Sequence, residues 1–218
     1  MSVQGHALVI FDCDGVLVDS EPVSQRVSIE MIAEHGVAIP PEEMSARYLG
    51  RSDADMVRDI ERRLGMTFPD GFVNEIQVRK LGAVRAGVPP IDGVADAVEA
   101  IASAGIPLCV ASSAPRDAIR VMLESAGLLG PFDGRLFSAY DVPRGKPHPD
   151  LFFHAAAQMG VEPARCAVVE DSLPGVRGAV AAGMRVLGYA PAGDGAALRT
   201  AGAEVFGDMA SVPGLLGL

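Results

Sequence analysis

Two hydrophobic patterns follow one another along the chain, and their order predicts its architecture. Residues 7–11 form a short uncharged run of β-forming side chains, which is typical of a strand buried on both faces. From residue 21 to residue 85, apolar side chains recur instead at helical spacing, as at Val23, Val27 and Met31. The sequence therefore predicts a first strand that is followed directly by a block of helices.

Strands and helices alternate over the rest of the chain. Repeated alternation of this kind predicts a mainly parallel sheet with helices on both faces. We therefore predict an α/β fold, in which a doubly wound parallel sheet with a Rossmann-like core (1–18 and 88–218) carries an inserted all-helical domain (19–87). The further predicted strands are 108–111, 135–138, 166–169, 186–189 and 204–206, and the predicted helices between them are 117–126, 150–159, 174–182 and 196–201.

Composition and charge limit the class of protein. With 218 residues, 49% hydrophobic and 21% charged, the chain can bury a substantial core. Its net charge of −10 disfavours a nucleic-acid partner. The sequence shows no basic start followed by a long apolar segment, so we expect neither a signal peptide nor membrane contact. Cys13, Cys109 and Cys166 are odd in number and match no zinc spacing, so we expect buried free thiols and a cytoplasmic protein.

Two pairs of carboxylates stand where buried strands end. Asp12 and Asp14 follow the first predicted strand, and Glu170 and Asp171 follow the strand at 166–169. The carboxyl ends of parallel strands border the crevice where open α/β sheets bind ligands. Adjacent acids repel one another, so they are stable together only near a cation, a basic group or water. A solvated turn is the alternative for each pair taken alone.

A serine and a lysine complete the candidate site. Ser112 lies between a predicted strand and a helix, where a hydroxyl and backbone N–H groups can bind an anion, although an ordinary helix cap fits equally. Lys146 stands between Gly145 and two prolines that would hold its ammonium in place, although a surface lysine is the usual outcome. Together these groups predict a Mg²⁺ site beside a phosphate-binding loop, where one carboxylate attacks phosphorus and another acts as acid and base.

Four segments in order, FDCDGVLVDSE, VASS, GKPHPD and VVEDSLPGV, resemble the motifs of the haloacid dehalogenase-like hydrolases. The resemblance covers nearly the whole chain, and the inserted helical block is similar to the small helical cap that closes over the active site in this family. It implies that Asp12 is the nucleophile and a metal ligand, and that Asp14 is the acid and base, with its backbone carbonyl on the metal. Ser112 would bind the phosphoryl group, Lys146 would pair with Asp12, and Asp171 would hold Mg²⁺.

Further residues are expected at the metal or the substrate. The resemblance places Glu170 at the metal through a bound water, or just behind the direct ligands. Ser113 is expected to bind the substrate together with its neighbour Ser112. In the cap, Arg51 and the pair Arg79 and Lys80 are the basic candidates to meet a substrate carboxylate or hydroxyl groups. Glu21 and Ser24 would line the entrance. Solvated surface cations are the alternative for each basic residue.

Particular positions distinguish the branches of this family. Asp14 disfavours the halide-displacing branch, which lacks an acid there and uses no metal. The β-phosphoglucomutases have a similar first motif and cap. This chain, however, has Ser24, Asp53 and Pro115 where that branch has a cap histidine, an arginine and a lysine. Since a mutase must hold a second phosphate, these departures favour a phosphatase.

Two connecting segments bear on the substrate. LFSAYDV and FFHAAAQMGV resemble the sugar phosphate and sugar-acid phosphatases of this group, including those that act on 6-phosphogluconate. We therefore predict a Mg²⁺-dependent phosphatase that acts on a small phosphorylated metabolite through an aspartyl-phosphate, as a monomer or weak dimer. The alternatives are a β-phosphoglucomutase-type phosphotransferase and a catalytically silent binding protein of the same fold.

Overall fold

The computed structural model describes residues 6–48, 52–193 and 195–218. The chain divides into two compact units, one formed by Met1–Asp19 and Pro89–Leu218, the other by Ser20–Val88. The roles of these units as catalytic core and cap stay predictions. In the described part of the chain, no helix has both the length and the apolar character that a bilayer crossing requires.

The regular elements of the Ser20–Val88 unit are all helices in its described residues. Ser52 caps the third helix by accepting a hydrogen bond from the Asp55 N–H at 3.1 Å, and Gly65 ends that helix with a φ of 64°. Apolar side chains on the facing sides of the helices, such as Met31 and Ile60, form a core of this unit alone. Its helices are α1 (Glu21–Glu34), α2 (Pro41–Tyr48), α3 (Asp53–Leu64) and α4 (Phe72–Ala86).

The other unit is built on a six-stranded sheet in which every pairing is parallel. Its order, β3-β2-β1-β4-β5-β6, reverses direction at β1, because the chain adds β2 and β3 on one side and β4 to β6 on the other. Ligands bind at such a reversal in open α/β sheets. The strands are β1 (Leu8–Phe11), β2 (Leu108–Ser112), β3 (Leu136–Ser138), β4 (Cys166–Glu170), β5 (Arg185–Tyr189) and β6 (Glu204–Phe206).

Helices cover both faces of this sheet, which confirms the predicted doubly wound α/β class. On one face Ile10 and Val168 pack with Leu151 and Val176 in a single buried cluster, whereas the ring of Phe11 meets Phe132 edge-on at 5.9 Å. All three cysteines are buried free thiols, as predicted. The helices are α5 (Val94–Ser103), α6 (Arg116–Ser125), α7 (Asp150–Gln158), α8 (Leu173–Ala181), α9 (Ala196–Thr200) and α10 (Val212–Leu215).

Candidate active site

A buried ion pair stands where β1 ends. Asp12 directly follows β1, and its backbone N–H continues the sheet by donating to the Val169 carbonyl of β4 at 3.0 Å. Lys146 Nζ donates to Asp12 Oδ1 at 2.6 Å, and the two side chains are only 5% and 10% exposed respectively. The rigid strand therefore holds one of the two predicted acids against the predicted lysine, although 134 positions separate them in sequence.

Lys146 also binds the carboxylate that ends β4. Its Nζ makes a very short hydrogen bond to Glu170 Oε1, and Glu170 is fully buried. The other oxygen, Oε2, accepts from the Ser172 N–H at 2.8 Å and the Ser172 hydroxyl at 2.9 Å. Burial lowers the pKa of Lys146, but the charges of Asp12 and Glu170 outweigh it and hold the pKa above its ordinary value. The ammonium therefore stays charged between two carboxylates.

The start of α8 is shaped around Glu170. Ser172 is the N-cap of this helix, and its Oγ accepts from the Gly175 N–H at 3.1 Å. A Cβ atom at Gly175 would lie 1.7 Å from Glu170 Oε1, so the carboxylate occupies the space that any other side chain would need. The sequence interpretation did not assign roles to Ser172 and Gly175. The signal that could have identified them is a capping serine placed directly after the acidic pair.

The turn after Asp12 contacts Asp171, the second acid of the pair that follows β4. Gly15 has a φ of +78°, and a Cβ atom there would lie 2.1 Å from Asp171 Oδ2. Both facts require glycine, because other residues rarely adopt this backbone conformation and would collide with the carboxylate. The turn is closed by the Leu17 and Val18 N–H groups, which donate to the Cys13 carbonyl at 2.9 and 3.0 Å. Asp171 therefore lies against the turn that carries Asp14.

Three carboxylates form a cluster that fits a hard cation. Oxygens of Asp12, Glu170 and Asp171 all lie within 4.8 Å of one another. Burial, opposed by Lys146, raises the pKa of Asp12 to about 8, and burial together with Glu170 raises the pKa of Asp171 to about 7. A divalent cation would oppose both burial and the charge of Glu170 and so would lower the pKa values of Asp12 and Asp171, which keeps them as carboxylates. Carboxylate oxygens are the ligands that Mg²⁺ takes in proteins. Since both oxygens of Glu170 accept hydrogen bonds, Asp12 and Asp171 are the side chains better placed to hold it.

The predicted anion-binding loop follows β2, beside β1 in the sheet. Phe11 pairs with Val110, so β2 continues for two residues beyond the end of β1 and places Ser112 at the same sheet edge as Asp12. Ser112 is buried, and its Oγ accepts from the Ala114 N–H at 3.1 Å, whereas Ser113 is exposed. The loop therefore begins at the same sheet edge as the charged pair, with the Ser112 hydroxyl fixed by the loop's own backbone.

The residues proposed to contact the substrate from the cap belong to the Ser20–Val88 unit. Glu21 is the first residue of α1. Arg79 of α4 forms ion pairs with Glu34 at 2.6 Å and Glu75 at 3.3 Å, so its charge is partly neutralised within the unit. Arg51 lies outside the described residues. Substrate contacts for these residues stay predictions.

Comparison with known proteins agrees with the motifs. A family model described as haloacid dehalogenase-like hydrolase matches residues 6–183. The chain is 32% identical to the 6-phosphogluconate phosphatase of Escherichia coli (strain K12) over 82% of its length and 80% of that protein. It is 34% identical to hexitol phosphatase B of the same strain, over 81% of this chain and 80% of that protein. A solved HAD family hydrolase from Deinococcus radiodurans R1, with bound phosphate and sodium, is 30% identical with a TM-score of 0.85, covering 98% of this chain and 97% of that one.

Proposed function

The chain belongs to the haloacid dehalogenase-like hydrolases and is a phosphatase, and on this premise we propose that it hydrolyses a small phosphorylated metabolite through an aspartyl-phosphate. The observation that carries the proposal is the position of Lys146, whose ammonium is buried between Asp12 and Glu170. Asp171 adds a third carboxylate to this cluster. A carboxylate held by a permanent cation next to an anion-binding loop suits attack on a phosphate ester.

In the first step, Asp12 acts as the nucleophile. Lys146 holds Oδ1, which leaves the other oxygen to form a bond to phosphorus as the ester P–O bond breaks. Asp14, two residues further on, donates a proton to the departing alcohol oxygen. The ammonium of Lys146 and the N–H groups of the Ser112 loop stabilise the charge on the phosphoryl oxygens.

In the second step, water releases the phosphate. Asp14, now a carboxylate, removes a proton from water as the water oxygen bonds to phosphorus. The bond between phosphorus and the Asp12 oxygen breaks, so inorganic phosphate leaves and the carboxylate is regenerated. Asp12 and Asp171, with the backbone carbonyl of Asp14, would hold the Mg²⁺ that supplies further positive charge to the phosphoryl group.

The substrate that we propose is a phosphorylated sugar acid, sugar or polyol, such as 6-phosphogluconate. Two relatives support this class, because one is named a 6-phosphogluconate phosphatase and the other a hexitol phosphatase. The phosphate bound to the Deinococcus radiodurans relative further supports phosphate recognition in this fold. Within the cap unit, Asp53 is paired with Lys80 at 2.5 Å, so an acid stands where a mutase would need a cation.

Release of phosphate from a panel of phosphorylated sugars, sugar acids and polyols tests the proposal. The purified protein with Mg²⁺ should release inorganic phosphate from at least one of them. Asp12→Asn should lose about a thousandfold or more of this activity, because it lacks the nucleophile. Thermal unfolding of the variant checks that its fold is intact. Isomerisation of a hexose 1-phosphate without phosphate release would indicate the mutase, and no turnover even of p-nitrophenyl phosphate would indicate the silent binding protein.

A further inference from the structure

A buried hydroxyl links the loops that follow β2 and β3. Ser138, the last residue of β3, is fully buried and pairs in register with Ser112, the last residue of β2. Its Oγ donates to the Ala114 carbonyl at 2.7 Å and accepts from the Tyr140 N–H at 3.1 Å. One hydroxyl therefore donates a hydrogen bond to the loop after β2 and accepts one from the loop after β3.

Asp141 binds the chain on the other side of the loop that follows β2. One oxygen, Oδ2, accepts from the Ser138 N–H at 2.7 Å and from Arg116 Nε at 3.0 Å. Arg116 is the first residue of α6, directly after the loop. Burial opposes ionisation of Asp141, but these two donors outweigh it and lower its pKa, so the ion pair is present at neutral pH.

These contacts determine the conformation of the candidate anion-binding loop. The Ala114 N–H is held by Ser112 Oγ and the Ala114 carbonyl is held by Ser138, so the peptide groups on both sides of this residue are fixed. An anion site built from backbone N–H groups depends on such fixed directions, because reorienting them during binding would cost free energy.

We propose that Ser138 and Asp141 are positioning residues that hold the Ser112–Ala114 loop ready for the phosphoryl group. This proposal rests on the proposed phosphatase function. Neither residue belongs to the four motifs, and both would act through Ala114 and Arg116 rather than by touching the substrate. Their effect should therefore appear in phosphate affinity and not in stability alone.

The test uses Ser138→Ala and Asp141→Ala in the full chain with Mg²⁺. Each should raise KM for the active panel substrate and the inhibition constant of inorganic phosphate by about tenfold, the value of one net hydrogen bond. Ser28→Ala is the matched control, since Ser28 is also a buried serine that donates to a backbone carbonyl, that of Ser24, at 3.2 Å. This control should leave phosphate inhibition unchanged, because Ser28 lies in α1 of the other unit.

A conservative variant separates positioning from general destabilisation. Ser138→Thr keeps the hydroxyl and should return the phosphate inhibition constant to within about threefold of the wild-type value. If the extra methyl group of threonine prevents folding, Asp141→Asn is used instead, because its amide oxygen can still accept from the Ser138 N–H. The phosphate inhibition constant of Asp141→Asn should rise less than that of Asp141→Ala. An unchanged inhibition constant in both alanine variants would overturn the positioning role alone. A wild-type protein that neither hydrolyses esters nor binds phosphate would refute the proposed function as well.

Discussion

Replacing Gly175 with alanine should break the contact between Lys146 and Glu170. The new Cβ atom would lie 1.7 Å from Glu170 Oε1 and 2.0 Å from its Cδ, far inside van der Waals contact. Glu170 is fully buried and is held by both Lys146 and Ser172, so its carboxylate cannot move aside without losing at least one of these partners. The methyl group would therefore displace the carboxylate from the lysine.

The size of the effect follows from two opposing contributions. Removing one partner from a buried ion pair costs about 3–5 kcal/mol, whereas alanine in place of a helical glycine gains about 0.5–1 kcal/mol. The net loss is about 2–4.5 kcal/mol, a large part of the 5–15 kcal/mol typical of a folded domain. For a unit of this size, the melting temperature should fall by about 5–15 °C. Phosphate release should fall by about tenfold or more, because Lys146 loses one of its two anchors.

Thermal and urea unfolding, with phosphate release measured on the same samples, provide the assay. Gly214→Ala is the matched control, because Gly214 lies in α10 of the same unit and a Cβ atom there would have no neighbour within 4 Å. We expect that control to match or slightly exceed the wild-type stability. A Gly175→Ala protein with wild-type melting and activity would refute the reasoning, since Glu170 could not then lie against this glycine.

Three further changes test other parts of the structure. Asp171→Ala should raise the Mg²⁺ concentration for half-maximal activity by about tenfold or more, and an unchanged metal titration would contradict its role as ligand. Gly15→Ala should show the same metal defect and unfold at lower urea, because its Cβ would meet Asp171 at a φ of +78°; wild-type values for both would contradict the close approach. Burial and Arg185 lower the pKa of His6, so its contribution to stability is present above the unfolded pKa of about 6.5 and lost as pH falls below it. His6→Gln keeps an acceptor for Arg185. Its free energy of unfolding in urea should fall less than that of the wild type when the pH is lowered from 7.5 to 5.5, and equal falls would exclude His6 as the cause of the pH dependence.

The kinds of element and their order along the chain follow from local sequence. Strand and helix patterns differ in the spacing of apolar side chains, and that spacing is visible without knowledge of any distant contact. The strand predicted at 108–111, for example, is β2 (Leu108–Ser112). Helix α10 (Val212–Leu215) was not predicted, because four residues containing Pro213 and Gly214 are too short to show a period.

The motifs likewise identified Asp12, Lys146, Glu170 and Asp171 as candidates, since each stands next to a predicted strand end or just before two prolines. The resemblance implied that Lys146 pairs with Asp12, but the local patterns do not reveal that Glu170 shares the lysine, because they are compatible with other strand orders. Only the tertiary structure decides that β4 lies next to β1 and brings Glu170 to the lysine that holds Asp12.

The roles of the residues that support the site are visible only in the tertiary structure. Gly175 lies within VVEDSLPGV and Ser138 within LFSAYDV, but no local pattern there indicates what either residue contacts. Their importance comes from partners that a different segment supplies, the Ala114 carbonyl in one case and the Glu170 carboxylate in the other. Local sequence determines which groups could do chemistry, whereas close packing between segments distant in sequence determines which neighbours hold them in place.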